Sequence, residues 1–101
     1  MKSLTSSGHD AALAAAKTVV FDFSAPGCAP CRKVPALMED VLKEIADQDI
    51  HAYEINVSEA PDLAARYMVL SVPTLIVFKD GRETRRFNSL PSRAKLVEAL
   101  Q

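Results

Sequence analysis

Residues 18–45, "TVVFDFSAPGCAPCRKVPALMEDVLKEI", decide the fold. Thr18 to Ala25 is a run of β-branched and aromatic residues too continuously apolar for a strand with one wet face. It predicts a central strand covered on both sides. Further on, apolar residues fall at Val34, Leu37, Met38, Val41, Leu42 and Ile45, the spacing by threes and fours of a helix with one buried face. Between strand and helix lie the chain's two cysteines, Cys28 and Cys31. The helix is expected to begin near Cys28, which sets both sulfurs at its N-terminus.

On the N-terminal side, Ala-rich His9 to Lys17 predicts a first helix, with Ser6 or Ser7 accepting a hydrogen bond from its first turn. On the C-terminal side, "IHAYEINV" (50–57) predicts a strand, and "SEAPDLAARY" (58–67) a short helix with Ser58 and Pro61 near its start. "VPTLIVFKDGRETRRFN" (72–88) predicts a hairpin whose turn, Asp80-Gly81, suits positive backbone angles. Ser89 to Gln101 closes the chain as a helix burying Leu96, Val97 and Leu100. The order αβαβαββα carries no repeat and no linker. It predicts an α/β sandwich, a single domain over residues 1–101, with a mixed central sheet whose strands are parallel first and antiparallel last.

With 12 basic and 13 acidic residues, a formal net charge of −1 offers no general attraction to nucleic acid or to a membrane surface. The first residues, "MKSLTSSGHDAALAAAKTVVFDF", are interrupted by Gly8, His9, Asp10 and Lys17, so they are expected to be neither a signal peptide nor a membrane span. A cytoplasmic monomer is expected. In that reducing compartment a lasting structural disulfide is unusual.

The cysteine pair admits several readings. Zinc wants about four ligands, and only His9 and His51, in no ligand-like spacing, could join the two sulfurs. A metal or iron–sulfur cluster bridging two chains could draw two sulfurs from each. A purely structural disulfide would close a very short loop and remove little chain entropy. The redox reading explains more neighbours: unpaired N–H groups at a helix start stabilise a thiolate, and Pro30 fits a first turn. Cys28, earlier and more exposed, is then the nucleophile, and Cys31, one turn inside, the resolving thiol. Asp22 interrupts the apolar strand. Either it is satisfied at the surface or by a hydroxyl, or it is a buried carboxyl of raised pKa that exchanges a proton with Cys31.

"VVFDFSAPGCAPC" (19–31) and "INVSEAPDLAARYMVLSVPTLIVFKDG" (55–81), together with the order of elements, resemble the thioredoxin family over nearly the whole chain. The resemblance implies a thioredoxin-like three-layer sandwich and a dithiol–disulfide oxidoreductase acting on protein disulfides. It implies no bound cofactor, and an electron-donor reductase of unspecified type as partner. Cys28 becomes the attacking thiol, Cys31 the resolving thiol, Asp22 the buried acid, and Pro73 the family's cis-proline. Val72, before that proline, would offer its backbone to a substrate strand. Gly27, Ala29, Pro30, Ser71 and Asn88 become substrate contacts, with Val57 and Ser89 bordering the same groove. Two other outcomes stay open: a redox-inactive binding module on this fold, and a metal- or cluster-bridged dimer.

The chain also departs from the family's pattern. Gly27 stands where Trp usually precedes the first cysteine, and Ser24 where an aromatic is usual, which removes a large flat partner contact. Pro35 lies four residues after Cys31 instead of five, so the disturbed helical bond should be that of Cys31 itself. Glu54 replaces a common Lys near the buried acid, Met68 a helix-ending Gly, and Asn88 a Gly. If Glu54 is buried beside Asp22, the two carboxyls raise their pKa values jointly. Arg82, Arg85 and Arg86 form a basic strip, read mainly as edge-strand protection. His9 and His51 receive no role.

Overall fold

A computed structural model describes residues 1–46 and 48–101. Five strands form one sheet: β1 (Lys2–Ser3), β2 (Thr18–Ser24), β3 (Ile50–Asn56), β4 (Thr74–Lys79) and β5 (Arg82–Phe87), in spatial order β1-β3-β2-β4-β5. β1 and β2 run parallel to β3, while β4 is antiparallel to β2 and β5 to β4. Four helices flank the sheet: α1 (His9–Leu13), α2 (Val34–Glu44), α3 (Pro61–Arg66) and α4 (Arg93–Leu100).

All seven residues of β2 are buried, which accounts for its unbroken apolar run. Strand alternation divides them between two cores. Val19, Phe21 and Phe23 pack with Ala12 of α1 and Leu63 of α3, and Val20 packs with Val34, Met38 and Val41 of α2 and Leu96 of α4. By the same alternation Asp22 and Ser24 share the face of Val20 and α2. Phe21 centres an aromatic cluster with Phe78 at 4.9 Å and Tyr67 at 5.9 Å between ring centroids. Such edge-on pairs add about 0.5–1.5 kcal/mol beyond the area they bury.

All four helices are shorter than expected: α3 begins at Pro61 and not Ser58, and α4 at Arg93 and not Ser89, with Pro91 in the segment before it and Val97 only partly buried. α1 stops at Leu13, not Lys17, because the following segment is held by tertiary bonds: the Lys17 N–H donates to Asp49 Oδ2 at 2.9 Å, and the Lys17 carbonyl accepts from Asp80 N–H at 2.9 Å. Ser6 does not cap α1 either; it lies in a 3-10 turn (Ser6–Gly8) and its hydroxyl donates to Asp62 at 2.5 Å. α2 begins at Val34, and a 3-10 turn (Pro30–Lys33) carries Cys31 ahead of it. Pro35 is the second residue of α2 and has no N–H for the Cys31 carbonyl, which accepts from Val34 instead. The proline's early position thus shows itself as a change of helix type beside the cysteines.

α3 ends with Met68 at φ +53°. Met68 N–H bonds to the Ala65 carbonyl at 3.1 Å and Val69 N–H to the Ala64 carbonyl at 2.8 Å, the paired bonds of a Schellman ending built without glycine. Asp80 and Gly81 both have positive φ, 53° and 80°, the requirement of a two-residue type I′ hairpin turn. Ser92 caps α4, its hydroxyl accepting from Lys95 N–H at 3.2 Å.

The basic strip on β5 is largely engaged within the molecule. Arg86 donates to the Tyr67 carbonyl at 2.7 Å and to both oxygens of Glu83, and Arg85 lies 4.8 Å over the Phe87 ring and pairs with Glu98. His9, the first residue of α1, is buried against the aromatic cluster, its Nε2 bonded to the Tyr67 hydroxyl and its Nδ1 to Asp10.

Candidate active site

The site forms where β2 runs into the cysteine loop. Gly27 takes φ +78°, and a Cβ there would meet nothing within 4 Å, so backbone conformation, not crowding, selects glycine. Cys28 is half-buried in the loop and Cys31, in the 3-10 turn, is only 4% exposed. They are joined as a disulfide with Cα atoms 5.3 Å apart. The backbone N–H of Cys31 donates to Cys28 Sγ at 3.2 Å. Once the bond is reduced, that N–H and the positive end of the following helix favour the thiolate of Cys28. Ala29 and Pro30 are exposed between the two sulfurs, with Pro30 opening the 3-10 turn.

Beside the disulfide is a cavity of about 310 Å³. Ser24, Cys28, Cys31, Arg32 and Glu54 are among the residues that line it, so a hydroxyl, a cation and a carboxylate surround the sulfurs. Arg32 was not singled out by the sequence reading; its place directly after the second cysteine is the signal that could have marked it.

Asp22 has no exposed surface, and neither of its carboxyl oxygens has a hydrogen-bond partner among the described residues. Burial pushes its pKa up to about 7, and the negative charge of Glu54 adds to the rise. The two carboxyls come from paired positions of β2 and β3. Glu54 is half-buried and lines the cavity.

The Val72-Pro73 peptide is cis. The loop before it is pinned by Thr74, whose hydroxyl donates to the Ser71 carbonyl at 2.7 Å. Ser71, Val72 and Val57 line a second cavity of about 190 Å³ together with Val69 and Leu70. Leu70 is 94% exposed and Met68 75%, an apolar rim on the approach to Pro73. Sequence reading passed over Leu70, although an apolar residue between a helix end and Ser71-Val72-Pro73 has no core to fill. Asn88 and Ser89 are exposed just past β5, outside both cavities.

Among the described residues no three His, Cys, Asp or Glu side chains are grouped to hold a metal ion, and none of the helices is long and apolar enough to cross a membrane.

Comparison with known proteins bears on this geometry. The Thioredoxin family model matches residues 1–101. Thioredoxin 1 of Synechococcus elongatus is 39% identical over 64 residues, 63% of this chain and 59% of that protein. Thioredoxin of Mycobacterium tuberculosis is 35% identical over 88 residues, 87% of this chain and 75% of that protein. Among solved structures, a point mutant of a thioredoxin from Halobacterium salinarum superposes with a TM-score of 0.87 at 26% identity, over 99% of this chain and 86% of the other. The oxidized mitochondrial thioredoxin 3 of Saccharomyces cerevisiae has a TM-score of 0.86 at 22% identity, over 99% and 92% of the two chains, and shows a shared fold. Because the family match takes in every strand of the sheet and both sulfurs of the disulfide, the chain belongs to the thioredoxin family.

Proposed function

We propose that this thiol–disulfide oxidoreductase works in the reducing direction on protein disulfides, through Cys28 and Cys31. Reduced Cys28, as thiolate, attacks one sulfur of the substrate disulfide. That S–S bond breaks, a mixed disulfide to Cys28 forms, and the departing sulfur takes a proton from solvent. Cys31 then gives its proton to the Asp22 carboxylate and attacks Cys28 Sγ. The second substrate sulfur leaves, and two electrons have passed from the dithiol to the substrate. A separate reductase returns them to the Cys28–Cys31 disulfide.

The observation that carries this reading is the Cys31 N–H directed at Cys28 Sγ at 3.2 Å, combined with the unequal exposure of the two sulfurs. It favours the outer sulfur as the stable thiolate and the inner one as the intramolecular attacker. The buried, unpartnered carboxyl of Asp22, with its pKa near 7, supports its use as a base close to neutral pH. The Val72 backbone beside cis-Pro73 suits strand-like pairing with a substrate, and Gly27, Ala29, Pro30, Ser71 and Asn88 supply the contacts around it. The working form is a cytoplasmic monomer.

A redox titration in defined thiol–disulfide buffers, quenched by alkylation and read by mass, tests the reading. A reversible two-electron transition supports it, and the midpoint reports the direction. No reversible transition would leave a thioredoxin-fold binding module in its place. Cys31→Ser should trap a substrate on Cys28 and Cys28→Ser should trap none on Cys31, and stable capture by Cys28→Ser alone would reverse the assignment of roles.

A further inference from the structure

Asp22 and Glu54 are partners in the parallel register of β2 and β3. Val20 and Ala52, two residues earlier on each strand, pack in the core beneath α2, so both carboxyls also face α2. Adjacent strands lie about 4.8 Å apart. Asp22 is sealed from solvent, whereas Glu54 lines the cavity that Cys28, Cys31 and Arg32 also line. Glu54 therefore stands between the buried acid and water.

The groups around this pair offer little compensation. Leu75 of β4 pairs with Asp22, and Ser3 of β1 pairs with Glu54, neither bringing a charge. From the 3-10 turn and the head of α2 come Cys31, Arg32 and Pro35, and from the loop Cys28. Arg32 is the cation among them, and it is exposed. Asp22 is disfavoured as an anion first by its burial and then by the negative charge of Glu54 on the paired strand.

We infer that Glu54 is a positioning residue for the resolving step: its negative charge, set beside Asp22 by the strand register, keeps Asp22 basic enough to take the proton of Cys31. The inference rests on the dithiol mechanism above. In the step itself, the proton leaves Cys31 Sγ for an Asp22 oxygen as the Cys28–Cys31 bond forms and the bond from Cys28 to the substrate breaks. The proton stays on Asp22 until the reductase opens the Cys28–Cys31 disulfide, when it returns to the departing Cys31 sulfur.

The test pairs carboxyl 13C NMR titration of the full chain, native, Glu54→Gln and Glu54→Asp, with stopped-flow measurement of attack and release on a protein disulfide from pH 5 to 9. Glu54→Gln should lower the Asp22 midpoint, move the ascending limb of the release profile to lower pH, and slow release at neutral pH by about threefold to tenfold. Attack by Cys28 should stay within about twofold, since proton transfer to Asp22 follows it. Glu54→Asp should restore most of the release rate. Superimposable Asp22 titrations in native protein and Glu54→Gln would overturn the inference, and so would a shifted midpoint with unchanged release. If the native protein fails to turn over at all, the redox reading falls, and the carboxyl titration, which needs no turnover, still decides whether the pair exists.

Discussion

Because Asp22 has neither exposed surface nor a hydrogen-bond partner, folding takes its carboxyl out of water without replacing what it loses. In the fold its pKa is about 7, against about 3.9 in an unfolded chain. Below pH ~4 the group is neutral in both states and the ionisation part of the penalty vanishes. Between pH ~4 and ~7 the unfolded chain releases the proton while the folded one keeps it, so stability falls as pH rises, and the loss is complete above the folded value. Asp22→Ala should therefore be more stable than the native protein at pH 8 by roughly 2–4 kcal/mol in urea unfolding, with the margin closing towards pH 4. A margin independent of pH would refute the raised pKa. At Gly27 the opposite sign is expected. With φ at +78°, Gly27→Ala should cost about 1–2 kcal/mol by the same assay although the space around it is open. Restoring the family's Trp at this position would carry the same backbone penalty, so the missing aromatic and the loop's conformation belong together. Sequence could show that Gly27 replaces Trp; it could not show the sign of φ. Nor could it choose between a solvated and a buried Asp22, because that depends on which face of β2 meets α2.

At the scale of elements, legibility followed length and period. β2 and α2 announce themselves because seven buried residues in a row suit a strand covered on both faces, and an apolar stripe from Val34 to Ile45 suits a helix with one buried side. β1 was missed: two residues are too few to show any alternation, and it exists only because Lys2 and Ser3 find partners in Tyr53 and Glu54 of β3. The head of α2 was misplaced because the 3-10 turn and the α-helix have nearly the same sequence preferences, and the difference lies in which N–H reaches the Cys31 carbonyl. The cis bond before Pro73 was visible only through family resemblance, since proline by itself favours trans. The ending of α3 was legible as a problem, Met68 where glycine is usual, and the structure shows it solved with glycine's geometry. Met68→Gly should relieve left-handed strain and raise stability by about 0.5–1 kcal/mol, part of the gain being offset by the greater freedom of glycine in the unfolded chain. Equal or lower stability in chemical denaturation would show that the Met68 side chain gives something back at the rim it shares with Leu70.

For the whole molecule, the order β1-β3-β2-β4-β5 places β2 at the centre, bonded on both edges and covered on both faces. Its amides should exchange with deuterium only on global unfolding, while those of β1, with one neighbour and two residues, should exchange through much smaller openings. Exchange of β2 at rates like those of β1 would contradict the packing. The disulfide hangs from the end of this most stable strand, while Leu70 and the loop before Pro73 approach from the next one. In that arrangement Cys28 is half-buried and Cys31 almost fully buried. On the dithiol mechanism proposed above, a partner meets Cys28 first, and Cys31, 4% exposed, is shielded from outside thiols. Joining depends on how crowded the surroundings are with substrate; parting does not, since its attacker is already inside. The protein keeps its own clock for how long a complex lasts, and the setting of that clock lies in the buried half of the site.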